Sequence, residues 1–162
     1  MKKKSYLSGV ILIGFGIYFL FQQYHFSLFE GFYTWPTLLV IVGLGFLANG
    51  YVGKDYESIL PGVVLTGLGL HFHIANKLDE WPDHSGIFLL LIAIGILLTY
   101  VKTGTNLFQG LIFLAMATLL LFFDRLLVWA NNQGHNLTSI SQFWPYIFII
   151  LGAYFLFVKR AK

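Results

Sequence analysis

The side chains best suited to chemistry in this sequence are five histidines, His25, His71, His73, His84 and His135, with the carboxylates Glu30, Asp79, Glu80, Asp83 and Asp124 near them. Imidazole beside carboxylate can hold a divalent metal or titrate near neutral pH. The spacing argues against one metal centre, because His71 and His73 stand two apart and point nearly opposite ways if helical. The expectation is a polar cluster of His25, His71, His73, Asp79, Glu80, Asp83 and His84 facing water or lipid headgroups, with no metal and no cofactor. Cys is absent, which excludes disulfides, thiolate nucleophiles and Cys-ligated metals.

Glycine supplies a second pattern. Gly9 with Gly16, Gly43 with Gly50, and Gly62 with Gly69 are each seven apart, which sets a pair on one stripe of a helix and lets a neighbouring backbone approach. Gly14, Gly67, Gly95, Gly110 and Gly152 add further small positions in apolar runs. A phosphate-cradling glycine loop would need a strand before it and a helix start after it, and these runs offer neither. The set is read as a helix-packing surface that a second copy or another transmembrane protein could also use.

The elements that must position these residues follow from composition. Hydrophobic residues make up 57% of the 162 and charged ones 10%, whereas a soluble domain carries about 25% charged residues. The surroundings of such a chain are membrane lipid. Six segments are long and apolar enough for spanning helices, approximately Leu7–Gln22, Pro36–Val52, Ile59–Ile74, Ser85–Val101, Leu107–Phe123 and Phe143–Val158. None contains Asp, Glu, Lys or Arg. Pumps, proton-coupled carriers and intramembrane hydrolases place ionisable groups at that depth, so no enzyme is expected and no catalytic residue is assigned.

Orientation follows from the basic residues. Lys2, Lys3, Lys4, Lys54, Lys102, Lys159, Arg160 and Lys162 fall at the termini and in the second and fourth connections, and only Lys77 and Arg125 fall on the other side. Both termini are therefore expected in the cytoplasm. The net charge of +3 resides at these membrane borders, so nucleic acid is not an expected partner. Trp35-Pro36 and Trp144-Pro145 open spans, with Trp in the outer interface and Pro in the first turn. Trp81 is expected to be a further interfacial anchor. Asp124-Arg125 is expected to mark the water boundary ending the fifth span. The first span is expected to be retained, since no small-x-small cleavage site follows it.

The spans repeat. Gly9-Val10-Ile11-Leu12-Ile13-Gly14-Phe15-Gly16 aligns with Gly62-Val63-Val64-Leu65-Thr66-Gly67-Leu68-Gly69 at an offset of 53. Trp35-Pro36 with Gly43, Phe46 and Leu47 returns as Trp144-Pro145 with Gly152, Phe155 and Leu156. The expected architecture is all-α: one membrane domain over residues 1–162, built as three pseudo-repeated hairpins near 5–53, 56–102 and 105–160.

A glycine-spaced first span followed by Trp35-Pro36-Thr37-Leu38-Leu39-Val40-Ile41-Val42-Gly43 resembles the small membrane domains of LiaI and LiaF, proteins of cell-envelope stress responses in Gram-positive bacteria. The resemblance implies a non-enzymatic role, in which membrane helices bind a sensor kinase or anchor a peripheral stress protein at the inner leaflet. It brings no catalytic residues. Unlike LiaF, the sequence has only Val158-Lys159-Arg160-Ala161-Lys162 after the last span. The functional expectation is a multi-pass scaffold or regulator in a bacterial plasma membrane, acting through helix contacts. The alternative is a small transporter or flippase with a cavity between the hairpins.

Overall fold

A computed structural model describes residues 5–75, 77–78, 84–132 and 144–157, and every described regular element is helical. In chain order these are α1 (Leu7–Gln23), α2 (Trp35–Tyr51), a 3-10 turn (Tyr56–Ser58), α3 (Ile59–Ala75), α4 (His84–Thr103), α5 (Leu107–Leu121), α6 (Phe123–Asn132) and α7 (Trp144–Phe157). All six expected apolar segments are helices. The chain divides into two units, Met1–Leu121 and Phe122–Lys162.

Local chemistry sets the helix ends. Pro36 lies in the first turn of α2, where the N–H it lacks has no partner to lose. α1 ends where His25 takes a left-handed conformation (φ 55) and Phe26 N–H donates to the Phe21 carbonyl at 2.9 Å. α4 ends similarly, with Gly104 at φ 71 donating to the Tyr100 carbonyl at 2.7 Å. That backbone region is nearly free of steric cost only for glycine.

In the first unit, α2 packs most extensively on α3 and α4 on α5, while α1 on α2 and α3 on α4 make smaller interfaces. The closest pairs are thus joined by short connections. The sizes of buried and exposed residues are inverted relative to a water-soluble bundle. Gly43, Gly45, Gly62, Gly69, Ala93, Gly95, Gly110 and Ala117 are buried, while Leu12, Ile13, Phe19, Val101, Phe108 and Leu119 are exposed. Helices that are apolar all round with small residues inside suit lipid, where close backbone approach replaces hydrophobic collapse as the source of cohesion.

One further helix appears beyond the expected segments: α5 stops at Leu121, within two residues of the expected end, the chain turns at Phe122, and a separate helix α6 follows. Asp124 and Arg125 therefore open a new helix instead of trailing the end of a long one. Along α6, Phe123, Leu126 and Leu127 recur at helical spacing. The Arg125 guanidinium lies 5.7 Å from the Phe122 ring centre. In the same unit, α7 exposes Tyr146, Ile147, Ile149, Ile150 and Phe157.

Candidate functional site

The most tightly built part of the molecule is the seam between α2 and α3. A Cβ on Gly43 would lie 2.5 Å from the backbone N of Thr66, one on Gly62 would lie 2.8 Å from the backbone N of Leu47, and one on Gly69 would lie 2.6 Å from the Pro36 carbonyl. Backbone thus meets backbone over most of the seam, and only glycine permits that approach. Gly50 closes one end, where a Cβ would meet the Ile59 side chain at 2.7 Å. Gly43 and Gly50 therefore face α3, and Gly62 and Gly69 face back towards α2.

Other glycines serve other pairs. Gly14 of α1 receives Ile41 of α2, and Gly45 of α2 receives Ile11 of α1, so α2 carries glycine towards both neighbours. Gly67 meets Leu91, Gly95 meets Leu60, Gly86 meets Leu121 and Gly110 meets Leu97. Gly9 and Gly16 behave differently, since neither would bring a Cβ within 4 Å of another heavy atom. The reason is angular: Ile11, Gly14 and Tyr18 form the face of α1 turned to the bundle, and at 100° per residue Gly9 and Gly16 fall on the opposite side. Gly152 of α7 also has nothing within 4 Å.

Polar ties fasten both ends of the seam. At one end, Asn49 accepts from the Tyr6 N–H at 3.0 Å and donates to Asp55 and Ser58 at 3.0 Å each, and Ser58 donates to Asp55 at 2.8 Å. Asn49 and Ser58 are buried. The knot joins the approach to α1, the end of α2 and the start of α3. At the other end, the Thr37 hydroxyl donates to the Phe32 carbonyl and lies 2.9 Å from Nε2 of His73. With its proton so committed, Thr37 accepts from His73, which places the imidazole proton on Nε2. Between the ties, the Thr66 hydroxyl is buried without a hydrogen-bond partner. Thr66→Val should therefore leave the protein at least as stable, by up to about 1 kcal/mol, because an unpaired hydroxyl is costly to bury. A thermal unfolding curve in mild detergent checks this, and a lower midpoint would count against it.

The connection from α1 to α2 is ordered around aromatic rings. Phe21, Phe26, Phe29, Phe32, Tyr33 and Tyr18 form a chain of ring contacts between 5.1 and 6.5 Å. Tyr33 donates to the Phe26 carbonyl. Loss of water around its phenol, and Tyr18 beside it, raise the Tyr33 pKa above its ordinary value, which keeps that proton in place.

Among the described residues, the histidines of the expected polar cluster each have different neighbours. His71 is buried against Phe72 and Phe88, His73 turns to Thr37 and Phe29, and His25 is exposed at the end of α1. His71 and His73 thus serve different helix contacts, as their spacing implies. His84 opens α4, while Asp79, Glu80, Trp81, Asp83 and His135 lie outside the described residues. Trp35 is half exposed, with its ring 4.7 Å from that of Phe72, and Pro36 is fully buried. Trp144 opens α7 and Pro145 follows it, exposed.

Several site residues escaped the sequence reading. Gly45 was hidden by the stripe assigned through Gly43. Ser58 and Asp55 stood in a connection, although two oxygen-bearing side chains within nine residues of Asn49, which lies in an apolar run, were a usable signal. Thr37 was visible only as part of the Trp-Pro motif.

Residues 6–47, which cover α1, the aromatic connection and most of α2, match the family model described as the LiaI-LiaF-like transmembrane region. The chain is also 29% identical, over 166 residues, to a Bacillus subtilis (strain 168) protein described as the uncharacterized membrane protein YsxD, with 100% of this chain and 98% of that protein covered. No solved structure matches. The resemblance read from the glycine-spaced first span and Trp35-Pro36 is therefore shown over residues 6–47, and the chain is a membrane protein whose described regular elements are all helical.

Proposed function

We propose that this chain, which carries a LiaI-LiaF-like transmembrane region, is a non-enzymatic scaffold or regulator in a bacterial plasma membrane, acting in a cell-envelope stress response through helix contacts. In this reading α1, α2, α3, α4, α5 and α7 cross the bilayer, and both termini lie in the cytoplasm beside the majority of the basic residues. Partners are membrane lipids and other transmembrane helices, whether of a second copy, a sensor kinase or the anchor of a peripheral stress protein.

The observation that carries the reading is the division of labour among glycines. Those on α2 and α3 are filled by neighbouring helices, whereas Gly9 and Gly16 share an unfilled stripe on α1. A helix from outside could approach there without displacing anything. Gly16→Leu is expected to reduce cross-linked assemblies in native membranes at least tenfold while leaving the thermal midpoint unchanged, because the new side chain meets open space. Undiminished cross-linking would argue against the proposal.

A further inference from the structure

We infer that Tyr24, Phe26 and Leu28, on the connection from Tyr24 to Thr34, are embedded in the bilayer interface, covered by phospholipid, and make up membrane thickness that α1 and α2 leave uncovered. The inference rests on the spanning reading above.

Length is the first argument. α1 and α2 have 17 residues each, about 25 Å at 1.5 Å per residue, against an apolar core of about 30 Å. The connection occupies the missing level. Phe29 packs edge-on against His73 at 5.1 Å, in the last turn of α3, and Lys77 lies 5.3 Å from the Phe29 ring centre. The loop therefore stands beside the last turn of α3.

Irregular backbone at that depth is tolerated only where its polar groups find partners within the protein. Three side chains of the loop and one from the first turn of α2 supply them. Ser27 donates to the Phe29 carbonyl at 2.7 Å, Thr34 to the Gly31 carbonyl at 2.6 Å, Tyr33 to that of Phe26 and Thr37 to that of Phe32. Gly31, at φ 82, makes the turn that brings these groups together. Large apolar side chains are nonetheless exposed at alternate positions, between the exposed polar His25, Ser27 and Glu30: Tyr24 is 73% exposed, Phe26 53% and Leu28 60%. Aromatic rings at the rim and one cation at Lys77 fit the glycerol and phosphate levels of a phospholipid layer.

The natural absence of Cys makes single-cysteine variants direct reporters. Phe26→Cys, Leu28→Cys, Leu12→Cys and Glu30→Cys, each carrying a small fluorophore, would be placed in vesicles of phosphatidylethanolamine and phosphatidylglycerol. Quenching by nitroxide-bearing phospholipid is then compared with quenching by aqueous iodide. Positions 26 and 28 are expected to be quenched at least threefold more by a nitroxide near the headgroups than by iodide, with 12 quenched by a deep nitroxide and 30 by iodide. If 26 and 28 follow 30 while 12 stays lipid-quenched, the inference fails and the spanning reading survives. If 12 is itself iodide-quenched, both fail. Resistance of 26 and 28 to both quenchers would overturn the inference in favour of a protein cover. Leu28→Cys removes no ring contact, so it keeps the test readable should Phe26→Cys perturb the loop.

Discussion

Gly43→Leu is expected to remove the folded first unit, with recovery of monodisperse protein from mild detergent falling at least tenfold. A Cβ at position 43 would stand 2.5 Å from the backbone N of Thr66 and 3.0 Å from the Gly62 carbonyl. Backbone atoms cannot rotate out of the way as a side-chain tip can, so even Ala forces α2 and α3 apart. Overpacking in a well-filled interior costs about 1–3 kcal/mol, and the loss here lies at the upper end because the whole seam parts together. Gly9→Leu is the matched control: same substitution, same membrane context, open space around it. Its yield and thermal midpoint should equal those of the unmodified protein. Similar behaviour of the two variants would mean that the α2–α3 approach is not what holds the unit together.

The second large effect is expected at Asn49. Asn49→Leu keeps the volume but withdraws one acceptor and two donations, leaving the Tyr6 N–H without its partner and Asp55 with one bond fewer. The destabilisation should be about 1–3 kcal/mol, since a buried amide gives up three hydrogen bonds, one of them to a carboxylate. Denaturant unfolding followed by tryptophan fluorescence would measure it. Asn49→Asp separates size from chemistry. It retains an acceptor for Tyr6 but removes the amide donor and sets a second carboxylate beside Asp55. It should therefore be destabilised at neutral pH and recover as pH falls through the carboxylate range, because a shared proton restores a donor and relieves the repulsion. A pH-independent defect would place the cause in shape, not charge.

Much of this fold was legible in the sequence because lipid imposes a compositional requirement. Around twenty apolar residues without ionised groups mark a helix in that medium, and the helices begin and end within about two residues of the segments read that way. The break at Phe122 was not legible, since Leu119-Leu120-Leu121-Phe122-Phe123 is uniformly apolar and polarity changes only at Asp124. Spacing also identified the glycine stripes but not which were filled. In water an apolar helix face must find cover, and the pattern then predicts contact. In lipid a bare face costs little, so Gly9 with Gly16 and Gly62 with Gly69 look alike in sequence and differ in space. The aromatic connection was opaque for a different reason. Its order comes from Ser27, Tyr33, Thr34 and Thr37 each reaching a particular carbonyl, and hydrogen bonds of that kind have no period to detect.

The ties at the two ends of the α2–α3 seam also limit how a signal could travel through it. Sliding one helix past the other along their common axis would break the Asn49 knot at one extremity and the Thr37–His73 bond at the other, while driving the Gly43 and Gly62 contacts out of register. A piston stroke through this pair is therefore closed off. Under the scaffold reading proposed above, a message passing through this pair would be carried by α2 and α3 swinging as one rigid lever.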